Sequence, residues 1–239
     1  MPANRLLDQV ARTFTAGPYI HRNSQIGNRI ADCLFEDLYA LRESDSLVRR
    51  IDDRSRVLNP KGLSPGIRTR RGDGSFGDAV PGSETRTVEG FAVGRGPTAD
   101  IEIGVEVKIL AKAMIKQIDR LTSDLCGQAR HFREKSDQAI CIGIVAINQA
   151  PRYVSFEGNR AFPTDGRRYV HPVQEAAEAE RRLLDDARPC FDEFLILPFV
   201  ATNEPPFSFS WVHESRMREE YAAALLRVSR LYDRRFPPR

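Results

Sequence analysis

The sequence predicts a mixed α/β fold, and three consecutive segments support that prediction. Residues 100–109 alternate charged and apolar side chains, which is typical of a strand with one apolar face. Residues 115–132 carry apolar side chains at intervals of three and four, as an amphipathic helix does. Residues 139–147 are almost continuously apolar, which is typical of a strand covered on both faces.

Composition excludes several classes of protein. The chain has 239 residues, of which 41% are hydrophobic and 29% charged, as expected for a soluble domain with one sizeable core. No apolar run approaches the roughly 20 residues of a membrane span, and the first residues lack a signal peptide's apolar segment. The cysteines show no C-x-x-C spacing, so we expect neither structural zinc nor a disulfide framework. These features predict a reduced, cytoplasmic protein.

Further elements are predicted on both sides of these segments. Residues 25–41 carry an apolar helical stripe after a polar lead-in over 1–24 of uncertain structure, and residues 83–93 alternate weakly and predict a strand. Towards the C-terminus, the sequence predicts a hairpin within 152–169, a charged helix over 175–187, an apolar strand over 193–200 and an amphipathic helix over 217–231.

A basic segment predicts contacts with phosphate groups. Residues 49–71 are loop-like and hold eight arginines and lysines against two aspartates. Such a loop suits nucleic acid, whose phosphates supply much of the binding affinity, although a solvated surface loop is the alternative. The glycine-rich continuation to residue 82 lacks the lysine of a nucleotide-binding loop. The candidate DNA-binding residues are Arg54, Arg56, Arg68, Arg70 and Arg71.

The alternating segment also carries the candidate catalytic residues. Asp100, Glu102, Glu106 and Lys108 share its charged face. Carboxylates are ligands that Mg²⁺ prefers, and a lysine stabilises negative charge on a phosphate. In a straight strand Asp100 and Glu106 would lie roughly 20 Å apart. We therefore expect a tight hairpin at Gly104, which would bring the two acids together.

Asp100 followed by Glu106-Val107-Lys108 resembles the signature of the PD-(D/E)xK, or restriction-endonuclease-like, nuclease superfamily. The resemblance covers about residues 25–148. It implies an α-β-β-β-α-β core with a mixed central sheet flanked by helices. The last third of the chain lies outside the resemblance and is predicted from its own pattern as a C-terminal α/β extension. The resemblance also implies that Asp100 and Glu106 bind Mg²⁺, with Mn²⁺ as a substitute, and that Lys108 assists attack by water on a phosphodiester.

The sequence departs from that signature in one respect that leaves alternatives open. The interval between Asp100 and Glu106 is shorter than the superfamily usually shows, so Glu102, Glu89 or Asp78 are alternative sources of the second carboxylate.

Two more residues are candidates through the same resemblance. Glu36, on the predicted helix 25–41, corresponds to a glutamate that often reaches the metal site, or else it flanks the apolar stripe in solvent. Gln128, on the helix after the E-x-K tripeptide, corresponds to a glutamine near the site, or else it is a polar residue at the helix edge.

The resemblance leads to an expected function. We expect a Mg²⁺-dependent endodeoxyribonuclease with a lead-in at 1–24, a nuclease core at 25–150 that includes a basic loop at 49–82, and an extension at 151–239 packed on the core. Restriction or anti-phage defence is the usual setting of such nucleases. DNA is the expected partner, and a homodimer or a larger assembly the expected state. The alternative is a non-catalytic DNA-binding or assembly subunit that retains the fold.

Overall fold

The computed structural model describes residues 4–20, 25–59, 72–112, 115–157, 160–164 and 172–237. The fold is mixed α/β, with helices on both faces of a six-stranded sheet. The strands are β1 (Arg56–Leu58), β2 (Gly74–Asp78), β3 (Ile103–Leu110), β4 (Ile140–Asn148), β5 (Val154–Glu157), β6 (Arg160–Pro163), β7 (Glu193–Val200) and β8 (Ser210–Trp211). The α-helices are α1 (Arg5–Thr15), α2 (Gln25–Leu41), α3 (Asp45–Asp52), α4 (Ile118–Lys135), α5 (Pro172–Arg182) and α6 (Glu214–Arg235).

The sheet is mixed in direction. Its strand order is β1-β2-β3-β4-β7-β8, and β5 and β6 form a separate hairpin. The β1–β2 and β2–β3 pairs are antiparallel, β3, β4 and β7 run parallel, and β8 is antiparallel to β7 at the edge. The central strand β3 is therefore held between an antiparallel neighbour and a parallel one.

Local hydrophobic patterns predict most of the long elements correctly. The helix expected at 25–41 is α2, and the apolar strand expected at 193–200 is β7. The strand expected to be covered on both faces is β4, which is buried along its whole length. The helix expected at 217–231 is the longer α6. Each of these segments buries a face whose periodicity matches its own backbone geometry.

The alternation in β3 divides its side chains between two cores. Ile103, Val105 and Val107 pack in the core that contains residues of α1, α2 and α6. Gly104, Glu106 and the other alternate positions face α4, because successive side chains of a strand point to opposite faces. The predicted strand is confirmed from Ile103 onwards. Of the four residues expected to share its charged face, only Glu106 and Lys108 lie in β3, because Asp100 and Glu102 precede the strand.

The hairpin expected at Gly104 is wrong. Gly104 lies inside β3 and pairs with Cys141 of β4. A Cβ atom at this position would lie 2.3 Å from Cδ2 of Phe132 in α4. Glycine is needed here because the aromatic ring packs directly on the backbone of the strand, and the chain does not turn.

This contact gives a first prediction. Gly104→Ala should lower the free energy of unfolding by about 1–3 kcal/mol, because the added methyl group overpacks a well-filled core. Gly96→Ala is the matched control, since its Cβ would make contacts of 3.5 Å or more. Urea denaturation of both variants measures the difference. A Gly104→Ala variant that is as stable as the Gly96→Ala control would contradict the packing role.

The predicted lead-in contains a helix that packs on the core. Leu6 and Phe14 of α1 are fully buried. The start of α1 is held by Asp37 of α2, whose carboxylate accepts hydrogen bonds from the backbone N–H groups of Arg5 at 2.9 Å and Leu6 at 3.0 Å. The Tyr221 hydroxyl of α6 donates to the same carboxylate at 2.7 Å. A buried carboxylate thus satisfies free N–H groups at the start of the helix.

Two predictions upstream of β3 are wrong. Residues 83–93 form no strand, and the neighbour of β3 is instead the short, glycine-rich β2. The described part of the segment expected to be a loop, 49–59, contains the end of α3 and all of β1. Short edge strands and single helical turns depend on tertiary pairing more than on local periodicity.

The cysteine pattern also needs correction. Cys126 of α4 and Cys190 are joined by a disulfide, with their Cα atoms 5.3 Å apart. The two residues are 64 positions apart in the chain, so spacing gave no sign of the pairing. Cys33 and Cys141 are buried free thiols. Among the described residues, no helix combines the length and the apolar character that crossing a membrane requires.

Candidate active site

A cleft of about 600 Å³ opens beside the C-terminal half of β3. Its walls come from the first turn of α2, the residue that precedes β2, and the start of α4. The charged side chains along it are Asp73, Lys108, Lys112, Arg120 and Asp124.

Glu106 and Lys108 lie side by side because they are two residues apart on one strand face. The Nζ atom of Lys108 forms an ion pair with Oε1 of Glu106. Glu106 is only 6% exposed, and its Oε2 atom makes no hydrogen bond within the described part of the chain. A buried carboxylate oxygen that lacks a partner is costly for the fold and is suited to accepting a cation.

Asp73 supplies the second carboxylate of the site. Pairing of β2 with β3 places it there, because its N–H donates to the carbonyl of Val105 at 3.1 Å. In return, the N–H of Val107 donates to Oδ2 of Asp73 at 2.8 Å. These two bonds hold the Asp73 carboxylate against the stretch of β3 that carries Glu106.

Glycines next to Asp73 allow this close packing. A Cβ atom on Gly27 of α2 would lie 2.2 Å from Oδ1 of Asp73. A Cβ on Gly72 would meet the Phe132 ring at 2.5 Å, and one on Gly74 would meet Cβ of Ala31 at 2.9 Å. Asp73 therefore sits between two helices at a position that only a glycine-rich backbone can reach.

Electrostatics in the site favour the addition of a positive charge. Burial, and then the negative charge of Asp73, raise the pKa of Glu106 from 4.5 to about 7, although Lys108 acts in the opposite direction. Burial lowers the pKa of Lys108, but Glu106 and Asp73 together outweigh it, and its pKa is raised overall. Lys108 thus stays protonated at neutral pH, and its charge only partly offsets the effects of burial and of Asp73 on the pKa of Glu106.

The shifted pKa of Glu106 gives a prediction about stability. Because the folded-state pKa lies above the unfolded value, Glu106 costs stability as pH rises from about 4.5 to about 7. In metal-free buffer, Glu106→Gln should therefore stabilise the fold by about 1–3 kcal/mol at pH 8. The gain should disappear near pH 4, where the carboxyl is protonated in both states. Denaturation at the two pH values tests this, and an equal effect of the substitution at both would contradict it.

Gln128 is buried near the residue that precedes Asp73. It is 4% exposed, and its Nε2 atom is 3.2 Å from the position that a Cβ on Gly72 would occupy. Gly72 directly precedes Asp73, but Gln128 is not among the described residues that line the cleft, and its role in the site stays a prediction. Asp124, one turn earlier on α4, adds to the negative potential that raises the pKa of Glu106.

Asp100 is not brought to Glu106. Its Oδ1 accepts a hydrogen bond from the N–H of Asp78 at 3.0 Å, and Asp78 lies at the opposite end of β2 from Asp73. Five residues of strand correspond to roughly 16 Å. With no hairpin at Gly104, Asp100 and Glu106 cannot share one metal ion, and Asp100 instead joins the end of β2 to the segment that precedes β3.

Glu102 is buried in a structural ion-pair network. Its Oε1 accepts from Arg56 Nε at 2.7 Å and from Arg50 at 3.3 Å, and the Tyr232 hydroxyl donates to Oε2. These partners belong to β1, α3 and α6. Glu102 therefore ties three elements together, away from the cleft beside Glu106.

Glu36 also has a structural role. It is 3% exposed and accepts hydrogen bonds from the N–H groups of Ala92 and Val93, both at 2.9 Å. Its carboxylate thereby holds the loop before β3 against α2. The backbone donors occupy both oxygens, so the structure does not place Glu36 in the site.

The candidate DNA-binding arginines divide into two groups. Arg56 pairs with Glu102 and Asp78, and its side chain is only 16% exposed, so it is not available to phosphate. Arg54 is exposed at the end of α3, and its role in DNA binding stays a prediction. Arg68, Arg70 and Arg71 lie outside the described residues.

The pair of acids is suited to a hard cation such as Mg²⁺ that takes only a few of its ligands from the protein. Among the described residues, no three His, Cys, Asp or Glu side chains converge as a metal-binding group. Protein Mg²⁺ sites, however, commonly use one or two carboxylates, with water and substrate phosphates as the other ligands. Asp73 and Glu106, with one carboxylate oxygen unpartnered, have the chemistry that such a site requires.

Asp73 is the residue that sequence reasoning missed. It lies in Gly72-Asp73-Gly74, directly before β2, and glycines on both sides of an acid are the available signal. Closely packed glycines indicate that the backbone approaches another element. These glycines identify Asp73 as a site residue only when the pairing of this segment with β3 is also known.

No family model matches this sequence, and no curated protein matches it. Function is therefore inferred from the side-chain geometry of the site.

Proposed function

We propose that this chain is a metal-dependent nuclease that hydrolyses DNA phosphodiester bonds, with Asp73, Glu106 and Lys108 as its catalytic residues. The observation that carries the proposal is the buried Glu106 carboxylate. One of its oxygens pairs with Lys108, the other is unpartnered within the described chain, and burial together with the charge of Asp73 raises its pKa to about 7. A cation-accepting acid pair beside a lysine is suited to phosphoryl transfer.

Asp73 and Glu106 would hold Mg²⁺, for which Mn²⁺ can substitute. When bound there, the ion would supply a water of lowered pKa and would neutralise charge on the scissile phosphate. The backbone N–H of Val107 orients Asp73, and the rigid strand β3 orients Glu106. Carboxylates fixed in this way lose little entropy when a ligand binds.

Lys108 would act as an electrostatic catalyst. Its raised pKa keeps the ammonium group protonated, so it does not accept a proton from water at neutral pH. The N–H donors that do not bond Glu106 can instead contact the attacking water and the negative charge that develops on the phosphate oxygens. Its side chain is 30% exposed to the cleft, where a substrate phosphate can reach it.

The order of the elements supports a restriction-endonuclease-like core. Leaving α3 aside, α2, β1, β2, β3, α4 and β4 follow the α-β-β-β-α-β order that the resemblance implies. The E-x-K tripeptide lies on the central strand of that set, between an antiparallel and a parallel neighbour. With Asp73 in place of Asp100, the interval between the two acids also becomes 33 residues instead of six.

Cationic side chains at the cleft support an anionic substrate. Lys112 and Arg120 line the same cavity as Lys108, and the Arg120 side chain is 89% exposed. Restriction or anti-phage defence in the cytoplasm, as a homodimer or part of a larger assembly, is the setting we propose from the superfamily resemblance. In that compartment the Cys126–Cys190 disulfide is expected to be reduced.

A cleavage assay tests the proposed function. Purified protein is incubated with supercoiled plasmid, linear duplex and single-stranded DNA in Mg²⁺, in Mn²⁺ and in EDTA. We expect metal-dependent cleavage of DNA, and no cleavage by Glu106→Gln, which retains the shape of the side chain. Wild-type protein that is inert with both metals on all three substrates would overturn the proposal of an active nuclease.

A non-catalytic DNA-binding or assembly subunit is the second candidate. The ion pair between Lys108 and Glu106 favours it, since it partly neutralises the carboxylate without a metal ion. In that case the protein would bind DNA equally well in EDTA and in Mg²⁺, and no cleavage would be detected.

A further inference from the structure

A second groove lies at the start of β7, against the last turns of α6, with a volume of about 800 Å³. It is separate from the cleft beside Lys108, because β4 lies between β3 and β7 in the sheet. We propose that this groove binds nucleotide units of a single-stranded nucleic acid, with phosphates on its arginine rim and a base against its aromatic floor.

The rim on α6 is a row of arginines. Arg227, Arg230 and Arg234 all line the groove, and their spacing of three and four residues puts them on one helix face. At about 1.5 Å per residue the row is roughly 10 Å long. Arg188 lines the groove from the segment that precedes β7. The planar guanidinium of an arginine can contact a phosphate through two N–H donors.

Nearby carboxylates leave part of this positive charge uncompensated. Asp192 also lines the groove, but it pairs with Arg133 and Arg235. Glu193 is engaged by Arg227 through two bonds of 2.8 and 2.9 Å, and Arg230 pairs with Glu43 at 3.4 Å. Within the described residues, Arg188 and Arg234 form no ion pair, and both side chains are exposed. Two cations are thus available for an anionic ligand.

The floor of the groove is apolar. Phe191 and Phe194 line it, with their ring centroids 5.4 Å apart, together with Val228 and Leu231 of α6. Phe194 remains partly exposed. A partly exposed ring beside arginines is an arrangement on which unpaired bases can stack while the backbone contacts the cations. A duplex, whose bases are already stacked and paired, could use only the rim.

The test measures binding of a labelled poly-deoxythymidine oligonucleotide in EDTA by fluorescence anisotropy across a salt series. Because no metal ion is present, the result does not depend on cleavage at Glu106. Arg188→Ala/Arg234→Ala should weaken binding and reduce the log–log salt slope by about 1.4, or roughly 0.7 for each lost contact. Arg86→Ala/Arg218→Ala removes the same charge outside both cavities and should leave the slope unchanged.

A variant of the groove floor distinguishes binding of a nucleic-acid strand from binding of a simple anion. Phe194→Leu keeps an apolar side chain and should weaken binding of the oligonucleotide about fivefold or more, because base stacking on the ring is lost. Thermal unfolding of each variant verifies that the fold is intact. Equal affinity of Phe194→Leu and wild type, competition by inorganic phosphate as effective as that by the oligonucleotide, or an unchanged slope in the arginine variant would overturn the inference.

Discussion

Asp73→Asn is expected to reduce Mg²⁺-dependent DNA cleavage by at least about 100-fold, because it removes a charged oxygen from the proposed metal site. The substitution keeps the size of the side chain, and the amide oxygen can still accept the hydrogen bond from Val107. The fold should therefore persist while the site loses one of its two negative charges. Cleavage rates over a range of Mg²⁺ concentrations measure the effect.

Asp100→Asn is the matched control for this variant. Asp100 accepts a hydrogen bond from the Asp78 N–H, which an asparagine oxygen can also accept, and it lies far from Glu106 along the sheet. Cleavage should remain close to that of the wild type. If Asp100→Asn lost activity and Asp73→Asn kept it, the assignment of the second acid would be wrong, and a different arrangement of β3 in the active protein would have to be sought.

Lys108→Ala is expected to slow cleavage by about 100-fold or more while leaving DNA affinity nearly unchanged. An interaction that strengthens only in the transition state affects the chemical step and contributes little to ground-state binding. Single-turnover cleavage rates and equilibrium binding in Ca²⁺, which are measured on the same substrate, separate the two effects.

One control variant makes this result interpretable. Lys112→Ala removes a neighbouring cation of the cleft that does not contact Glu106 in the described ion pairs, and it should weaken binding more than it slows chemistry. A binding module would give a different pattern. If Lys108→Ala mainly reduced affinity and no cleavage was seen in the wild type, Lys108 would be a phosphate contact, and the proposed catalytic role would be rejected.

The sequence determined the long elements of the fold. The helix α2, the buried strand β4 and the apolar strand β7 appear where their periodicity predicts them, because each buries a face defined by its own repeat. Glu106 and Lys108 also neighbour each other as expected, since two residues on one strand face must. That much of the site follows from local geometry alone.

Only the tertiary structure decided the rest of the site. Asp73 is 33 residues before Glu106, and it reaches that residue through the pairing of a short strand that has no hydrophobic signature of its own. Gly104 was expected to turn the chain, yet it makes room for the ring of Phe132. Alternation along a strand specifies which face a side chain occupies, but not which distant segment packs against that face. That choice depends on close packing between elements. The packing places Asp73, and not Asp100, against the part of β3 that carries Glu106.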